Sequence, residues 1–224
     1  MRFDLKFAVL LLSSALFLGT SLTSSAQVPF YASPPEKGHM FVYHSMKFRP
    51  SVNYFETFST GQYGLGAKTA VGLELYTCPS GAYAGYTFRA GLYENNYFNI
   101  GIQTSPTFAL GENHKFSYIT SGLYIHGAFD PDGRFYWLSN TLWTVHTDKM
   151  ADIEHWFYFG AKFPLQNGTL LHPMIGTIHS WRFDSVPDIA IGCSWAVGNY
   201  EFFLWSNNYT KDHLRLVFGI AFAY

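Results

Sequence analysis

The chain has 224 residues, of which 20% are aromatic and only 13% are charged, and its formal net charge is −1 at pH 7. A typical globular domain has about 25% charged residues, so this composition is unusual for a soluble domain. The near-zero net charge gives no electrostatic basis for binding nucleic acid. A mean hydropathy of +0.02 is too low for a bundle of transmembrane helices.

The N terminus has the pattern of a secretory signal peptide. Basic residues precede an apolar run over residues 7–19, and the small residues Ser24 and Ala26 occupy the −3 and −1 positions of a cleavage site before Gln27. A membrane-spanning helix needs about 20 apolar residues, so the run is too short to be one. We therefore predict a signal peptide, a Pro-rich lead-in and one folded domain, at residues 1–26, 27–38 and 39–224.

After the lead-in, large apolar side chains alternate with small or polar ones, which is the two-residue period of a β-strand with two different faces. The alternation is weakest in 134–146 and 169–181, where neither face is distinctly apolar. We predict twelve strands, or ten if residues 39–60 do not form a regular hairpin. In chain order they are 39–48, 52–60, 67–76, 82–93, 96–104, 115–128, 134–146, 156–163, 169–181, 189–198, 200–208 and 213–224.

The connections between these strands indicate a meander. The sequences "DPDG" (130–133), "QNG" (166–168) and "VGN" (197–199) are typical of tight turns. In an up-and-down arrangement all three fall at the same end as both termini. The longer connections then lie at the opposite end, at 104–114, 146–153 and 182–188.

The last strand, "HLRLVFGIAFAY", has one large apolar face and ends on an aromatic residue. In hydrocarbon every backbone N–H and C=O must be paired internally, so only helices or closed sheets can span a membrane. Together with the signal peptide and the alternating strands, this ending makes the chain resemble the small outer-membrane β-barrels of Gram-negative bacteria. The likeness covers nearly all of the chain after the signal peptide, at the level of the class and not of a particular family.

The resemblance implies an all-β fold: an antiparallel up-and-down barrel that spans the outer membrane, with the lead-in and the short turns in the periplasm. It implies contact with outer-membrane lipid and lipopolysaccharide. It also implies recognition of the C-terminal ending by the barrel-assembly machinery, and the residues expected to carry this insertion signal are Phe218, Phe222 and Tyr224. We expect no nucleic-acid partner, and the oligomeric state stays open.

Six charged residues alternate with the apolar face and are therefore predicted to line the lumen. In one interpretation they line a narrow, watery pore, with a slight preference for small anions. In the other they pair across a filled interior, and a barrel of twelve strands lies between the filled and the open sizes. The abundance of small residues on this face favours open space. The six are Lys68, Glu74, Arg89, Lys162, Glu201 and Arg215.

A histidine and carboxylate set at the predicted outer rim suggests an enzyme. His146 and Asp148 have the i, i+2 spacing that places two side chains on one face of a strand, and His155 follows closely. Such a set could activate water or bind a divalent cation, but a polar loop in water is the favoured explanation, because loops are polar for ordinary reasons. We predict no cofactor and no metal site.

The sequence therefore predicts a narrow channel for small solutes or ions. The alternatives are a closed structural or complex-forming barrel, and a hydrolase that modifies lipid or peptide.

Overall fold

The computed structural model describes residues 32–95, 97–111, 114–148, 151–182, 186–207, 209 and 214–224. Within these residues the chain forms one antiparallel sheet. Its strands are β1 (Met40–Arg49), β2 (Tyr54–Gly66), β3 (Thr69–Cys78), β4 (Gly81–Glu94), β5 (Phe98–Ala109), β6 (Phe116–Ala128), β7 (Phe135–His146), β8 (Ala151–Ala161), β9 (Phe163–Pro164), β10 (Leu170–Ser180), β11 (Asp188–Val197), β12 (Tyr200–Asn207) and β13 (Arg215–Ala223).

The sheet closes into a barrel because its first and last long strands pair with each other. Strand β13 pairs antiparallel with β1 along eight residues, from Phe41 opposite Ala223 to Phe48 opposite Leu216. The backbone N–H groups of Met40 and Tyr224 each donate to the other residue's carbonyl at 2.7 Å. This pairing removes the two edges that an open sheet would expose, which a barrel surrounded by lipid requires.

The barrel wall has twelve strands among the described residues. The two-residue strand β9 continues β8 after a break at Lys162 and pairs with the same neighbour, β10. The predicted all-β, antiparallel, twelve-stranded barrel is thus confirmed, and the alternative of ten strands is wrong. None of the described residues belongs to a helix long and apolar enough to cross a membrane.

The two faces of the wall differ in polarity as the alternation predicts. Large apolar side chains point outward and are exposed; Leu73, Phe88 and Phe218 are examples, at 61%, 52% and 45% exposure. Buried polar side chains such as Gln62, Glu201 and Ser194 alternate with them and face the lumen. An apolar exterior and a polar interior are the pattern of a barrel in lipid.

The connections also fall as predicted, at two ends that we call the terminal end and the loop end. The terminal end carries the start of β1, the end of β13 and all three tight-turn sequences. It also carries a two-residue turn at Ala67 and Lys68, whose φ angles of 49° and 58° suit a type I′ hairpin. The longest loop-end connections join β10 to β11 and β12 to β13.

Three strands extend at one end by five or six residues beyond their predicted bounds. Strand β2 continues through the glycine-rich "GQYGLG" to Gly66, and β5 continues to Ala109. Strand β8 begins at Ala151, because Asp152 and Glu154 are lumen-facing strand residues that resemble a solvated loop in the sequence. The connection before β8 is therefore shorter than the predicted 146–153.

Part of the lumen is packed with apolar side chains, which we call the inner apolar cluster. Its members come from β1, β7, β8 and β10 to β13, and they are Phe41, Tyr43, Tyr136, Leu138, Tyr158, Met174, Ala190, Phe203, Trp205 and Ala221. Their rings meet across the barrel; those of Tyr158 and Trp205, for example, are T-shaped with centroids 4.8 Å apart.

Lumen-facing glycines make room for these rings. A Cβ at Gly160 would lie 2.4 Å from the ring of Tyr136, and a Cβ at Gly192 would lie 2.5 Å from the ring of Trp205. Each glycine is therefore covered by a ring from the neighbouring part of the wall. The inference that small lumen residues leave open space is wrong on this side of the barrel.

Candidate functional site

A cavity of about 500 Å³ occupies the lumen towards the loop end, and we call it the outer cavity. Its wall includes residues within three positions of the loop-end strand termini, such as Lys47, Glu56, His146 and Arg215. The aromatic side chains among its lining residues are Tyr43, Phe58, Tyr76, Tyr118, Tyr124, Trp156, Tyr158 and Trp205. The last three and Tyr43 lie on the side of the inner apolar cluster, so that cluster forms part of the cavity floor.

At the mouth of the outer cavity, Glu56 is the centre of a group of hydrogen-bonded side chains. Lys47 Nζ lies 2.7 Å from Glu56 Oε1, and the hydroxyls of Tyr54 and Tyr76 donate to Glu56 Oε2 at 2.9 and 3.0 Å. The Arg49 guanidinium packs over the Tyr54 ring, 4.9 Å from its centroid. These contacts hold one acidic side chain, two basic side chains and two phenols in place where β1, β2 and β3 reach the loop end.

A chain of hydrogen-bonded side chains, which we call the polar belt, crosses β2 to β5 below the cavity. Arg89 Nη1 approaches Gln62 Oε1 at 3.5 Å, Gln62 Nε2 donates to Gln103 Oε1 at 3.4 Å, and Gln103 Nε2 donates to Glu74 Oε1 at 3.0 Å. Gln62, Glu74 and Gln103 also line the outer cavity. The belt is therefore its polar floor, opposite the inner apolar cluster.

Arg89 is the least satisfied member of the polar belt. It is only 5% exposed, and its guanidinium lies over the Tyr124 ring, 5.0 Å from the centroid. Its Nε and Nη2 groups have no hydrogen-bond acceptor among the described residues. A buried cation with unused donors attracts acceptors and anions.

A second buried polar group lies near the terminal end. The Glu201 carboxylate is fully buried, accepts a hydrogen bond from the Ser194 hydroxyl, and lies 3.2 Å from His172 Nδ1. Lys162 lies beside this region, with its Nζ 5.6 Å from the centroid of the Tyr136 ring.

The structure separates the six predicted lumen residues into two groups. Glu74, Arg89, Glu201 and Arg215 are lumen-facing strand residues. Lys68 instead lies in the turn before β3, with its Nζ 3.4 Å from Glu94 Oε2, and is half exposed. Lys162 lies in the break between β8 and β9.

The predicted catalytic set is not brought together. His146 faces the outer cavity and packs against Tyr118, with ring centroids 5.4 Å apart. His155 is on the outer face of β8, where its Nδ1 is 2.9 Å from the Thr141 hydroxyl. Asp148 lies in the connection after β7. Because the barrel wall separates the two histidines, they cannot act on one substrate.

Three charged residues of the outer cavity were not among the predicted lumen residues: Lys47, Glu56 and Glu154. Lys47 alternates with Phe41 and Tyr43, and the opposite face of this strand is also apolar, so the alternation does not show which face is the lumen side. Within the part of the chain that the structure describes, no group of three or more His, Cys, Asp or Glu side chains could hold a metal ion.

No family model and no curated protein matches the chain in sequence. Solved structures do match it in fold. The KdgM porin superposes with a TM-score of 0.57 at 8% identity, covering 81% of this chain and 98% of the porin. The KdgM porin in complex with disordered oligogalacturonate gives a TM-score of 0.53 at 10% identity, covering 82% and 98%. The chain thus has the fold of the outer-membrane β-barrel porins.

Proposed function

We propose that the protein is a narrow channel of the outer membrane for small solutes or ions. The single observation that supports this most strongly is the outer cavity, a space of about 500 Å³ with polar and aromatic walls inside a closed barrel. Its size suits a small ligand more than a polymer, because small-molecule sites typically enclose about 300–1,000 Å³.

The charges of the cavity support a preference for uncharged or cationic solutes. Among the described lining residues the bases are Lys47 and Arg215, and the acids are Glu56, Glu74 and Glu154. Lys47 is already paired with Glu56. Rings of acidic side chains favour cations, so this lining is poorly suited to a polyanion such as the oligogalacturonate seen with the KdgM porin. We therefore propose this preference in place of the slight anion preference inferred from the sequence.

Liposome swelling tests this proposal. Proteoliposomes are exposed to a neutral monosaccharide, a monosaccharide amine and a monosaccharide carboxylate, all of the same size. We expect rapid swelling with the first two and slow swelling with the carboxylate. Equal rates for all three would contradict the charge preference, and no swelling beyond that of protein-free liposomes would contradict the channel.

A closed structural barrel is the second candidate, because the inner apolar cluster fills one side of the lumen. A closed barrel would give no swelling with any solute although the protein is folded and inserted. Folding is checked separately by the faster gel migration of the unheated barrel.

Insertion into the outer membrane through the C-terminal ending is part of the proposal. Phe218 is outward-facing, whereas Phe222 is only 7% exposed and packs between the rings of Tyr200 and Tyr224, at 4.9 and 6.3 Å. A partner in the barrel-assembly machinery, and contact with lipid and lipopolysaccharide, follow from the proposed location.

A further inference from the structure

Residues 32–38, which the sequence predicts as part of a periplasmic lead-in, run along the inside of the barrel, and we call them the lumen strap. The strap is anchored to β2: Gly38 N–H donates to Gly64 O, and Gly64 N–H donates to His39 O, both at 2.9 Å. Lys37 forms a parallel bridge with Gly64. At its other end Ala32 is fully buried.

The strap fits against glycines on the lumen side of β2, β4 and β5. A Cβ at Gly64 would lie 1.9 Å from Glu36 O, and a Cβ at Gly101 would lie 2.1 Å from Ala32 O. Between them, a Cβ at Gly91 would lie 3.2 Å from Pro34 Cδ. The two shortest contacts are with strap backbone, so no side chain at Gly64 or Gly101 is compatible with the strap in this position.

The strap lies directly beneath the polar belt. Gly101 pairs with Gly91 on one side and with Tyr124 on the other. The Arg89 guanidinium packs over the Tyr124 ring. Arg89 itself is two residues before Gly91 on β4, on the same face. The strap therefore lies on the terminal-end side of Arg89, where an exit from the lumen along β2 to β5 would have to pass.

We propose that the lumen strap closes the β2–β5 side of the inner lumen, and that its withdrawal opens a path past Arg89 that favours anions. The conduction part of this inference rests on the proposed channel function. With the strap in place, the inner apolar cluster and the strap narrow the lumen from opposite sides below the outer cavity. With the strap withdrawn, the opened path passes Arg89, whose Nε and Nη2 groups have no acceptor among the described residues.

Single glycine substitutions displace the strap without removing it. Gly64→Ala and Gly101→Ala each place a methyl group against strap backbone. Gly61→Ala is the matched control, because it is also on β2 but a Cβ there meets nothing within 4 Å.

The first readout is chemical and does not depend on conduction. In a Cys78→Ser, Cys193→Ser background, Ala32→Cys is labelled with a membrane-impermeant maleimide in folded protein. We expect slow labelling, unchanged by Gly61→Ala and about tenfold or more faster with Gly101→Ala, because the strap then opens locally. Equal labelling rates in the two variants, or rapid labelling of the introduced thiol before any glycine is substituted, would overturn the inference.

The second readout is planar-bilayer current. We expect Gly64→Ala and Gly101→Ala to raise the unitary conductance and to shift the reversal potential towards that of the anion. Arg89→Gln added to Gly101→Ala should remove the shift. Conductance and selectivity equal to those of Gly61→Ala would overturn the inference and leave the channel proposal standing. A third result is that the wild type gives no current, the Gly64→Ala and Gly101→Ala variants conduct, and position 32 is labelled slowly. That result would contradict conduction by the wild type and support closure of the lumen by the strap.

Discussion

The seating of Trp205 on Gly192 predicts a strong energetic coupling between these two residues. A Cβ at Gly192 would lie 2.5, 2.6 and 3.0 Å from three atoms of the Trp205 ring, and the three nearest contacts all belong to that ring. Gly192→Ala should therefore destabilise the wild-type barrel by about 1–3 kcal/mol through overpacking. Trp205→Ala should cost about 3–5 kcal/mol, since the ring is 8% exposed and packs on Tyr158.

The double variant Gly192→Ala, Trp205→Ala should lose much less stability than the sum of the losses of the two single variants. With the ring absent, alanine at position 192 meets no clash and is favoured over glycine in a strand by about 0.5–1 kcal/mol. The coupling energy is then about 2 kcal/mol or more, which is large for a pairwise term. It reports directly on whether rings fill the glycine-lined side of the lumen.

The assay is reversible urea unfolding in lipid vesicles. Unfolding is followed by tryptophan fluorescence, since the chain has six tryptophans and the Trp205→Ala variants retain all but one. Gly61→Ala is the control and should have the same effect with and without Trp205. If Gly192→Ala lowers the free energy of unfolding equally with and without Trp205, the Trp205 ring does not pack on Gly192. The conclusion that rings fill this side of the inner lumen is then wrong.

Three further predictions concern charge, pH and assembly. Glu56→Gln should release Lys47 at the cavity mouth and shift the reversal potential of the channel towards the anion, whereas Asp132→Asn in an exposed turn should not. The backbone N–H groups of Phe135 and Arg134 lower the pKa of Asp130. The stabilising effect of the Asp130 carboxylate is therefore complete above the unfolded pKa of about 3.9 and is lost as the pH falls through the lower folded pKa. Asp130→Ala should remove this acid-range dependence from thermal unfolding profiles. Deleting Tyr224 should reduce the fraction of chains recovered as heat-modifiable barrel in the outer membrane, and an unchanged fraction would show that the closing pair with β1 is dispensable.

The strand count and the two ends of the barrel were predictable because the alternation has a strict physical cause. Lipid requires apolar side chains on one face, and the wall of a closed sheet places every second residue there. Strand β8 shows where this fails, since its first residues, "ADIEH", place acids towards the lumen and resemble a loop.

The facing of β7 could not be predicted for the opposite reason. Its inward residues Tyr136 and Leu138 are apolar because they join the inner apolar cluster, while Trp137 on the outer face is apolar because it meets lipid. A strand with two apolar faces carries no sidedness signal. The same packing explains why small lumen residues did not mean open space: a glycine on one strand makes room for a ring on the next, and sequence alone does not pair them.

The lumen strap was also beyond sequence analysis. Its sequence, "ASPPEKG", is Pro-rich and polar, which is typical of a solvated connection. What places it in the barrel is backbone contact with Gly64 and Gly101, residues far along the chain that are indistinguishable by themselves from other strand glycines.

Single-channel recording from the purified wild-type barrel in a planar bilayer, under a potassium chloride gradient, tests the channel most directly. A narrow channel with an acidic outer cavity predicts small, discrete current steps and a reversal potential displaced towards that of potassium. An absence of unitary steps from protein that migrates as a folded barrel would contradict it and identify a closed barrel instead.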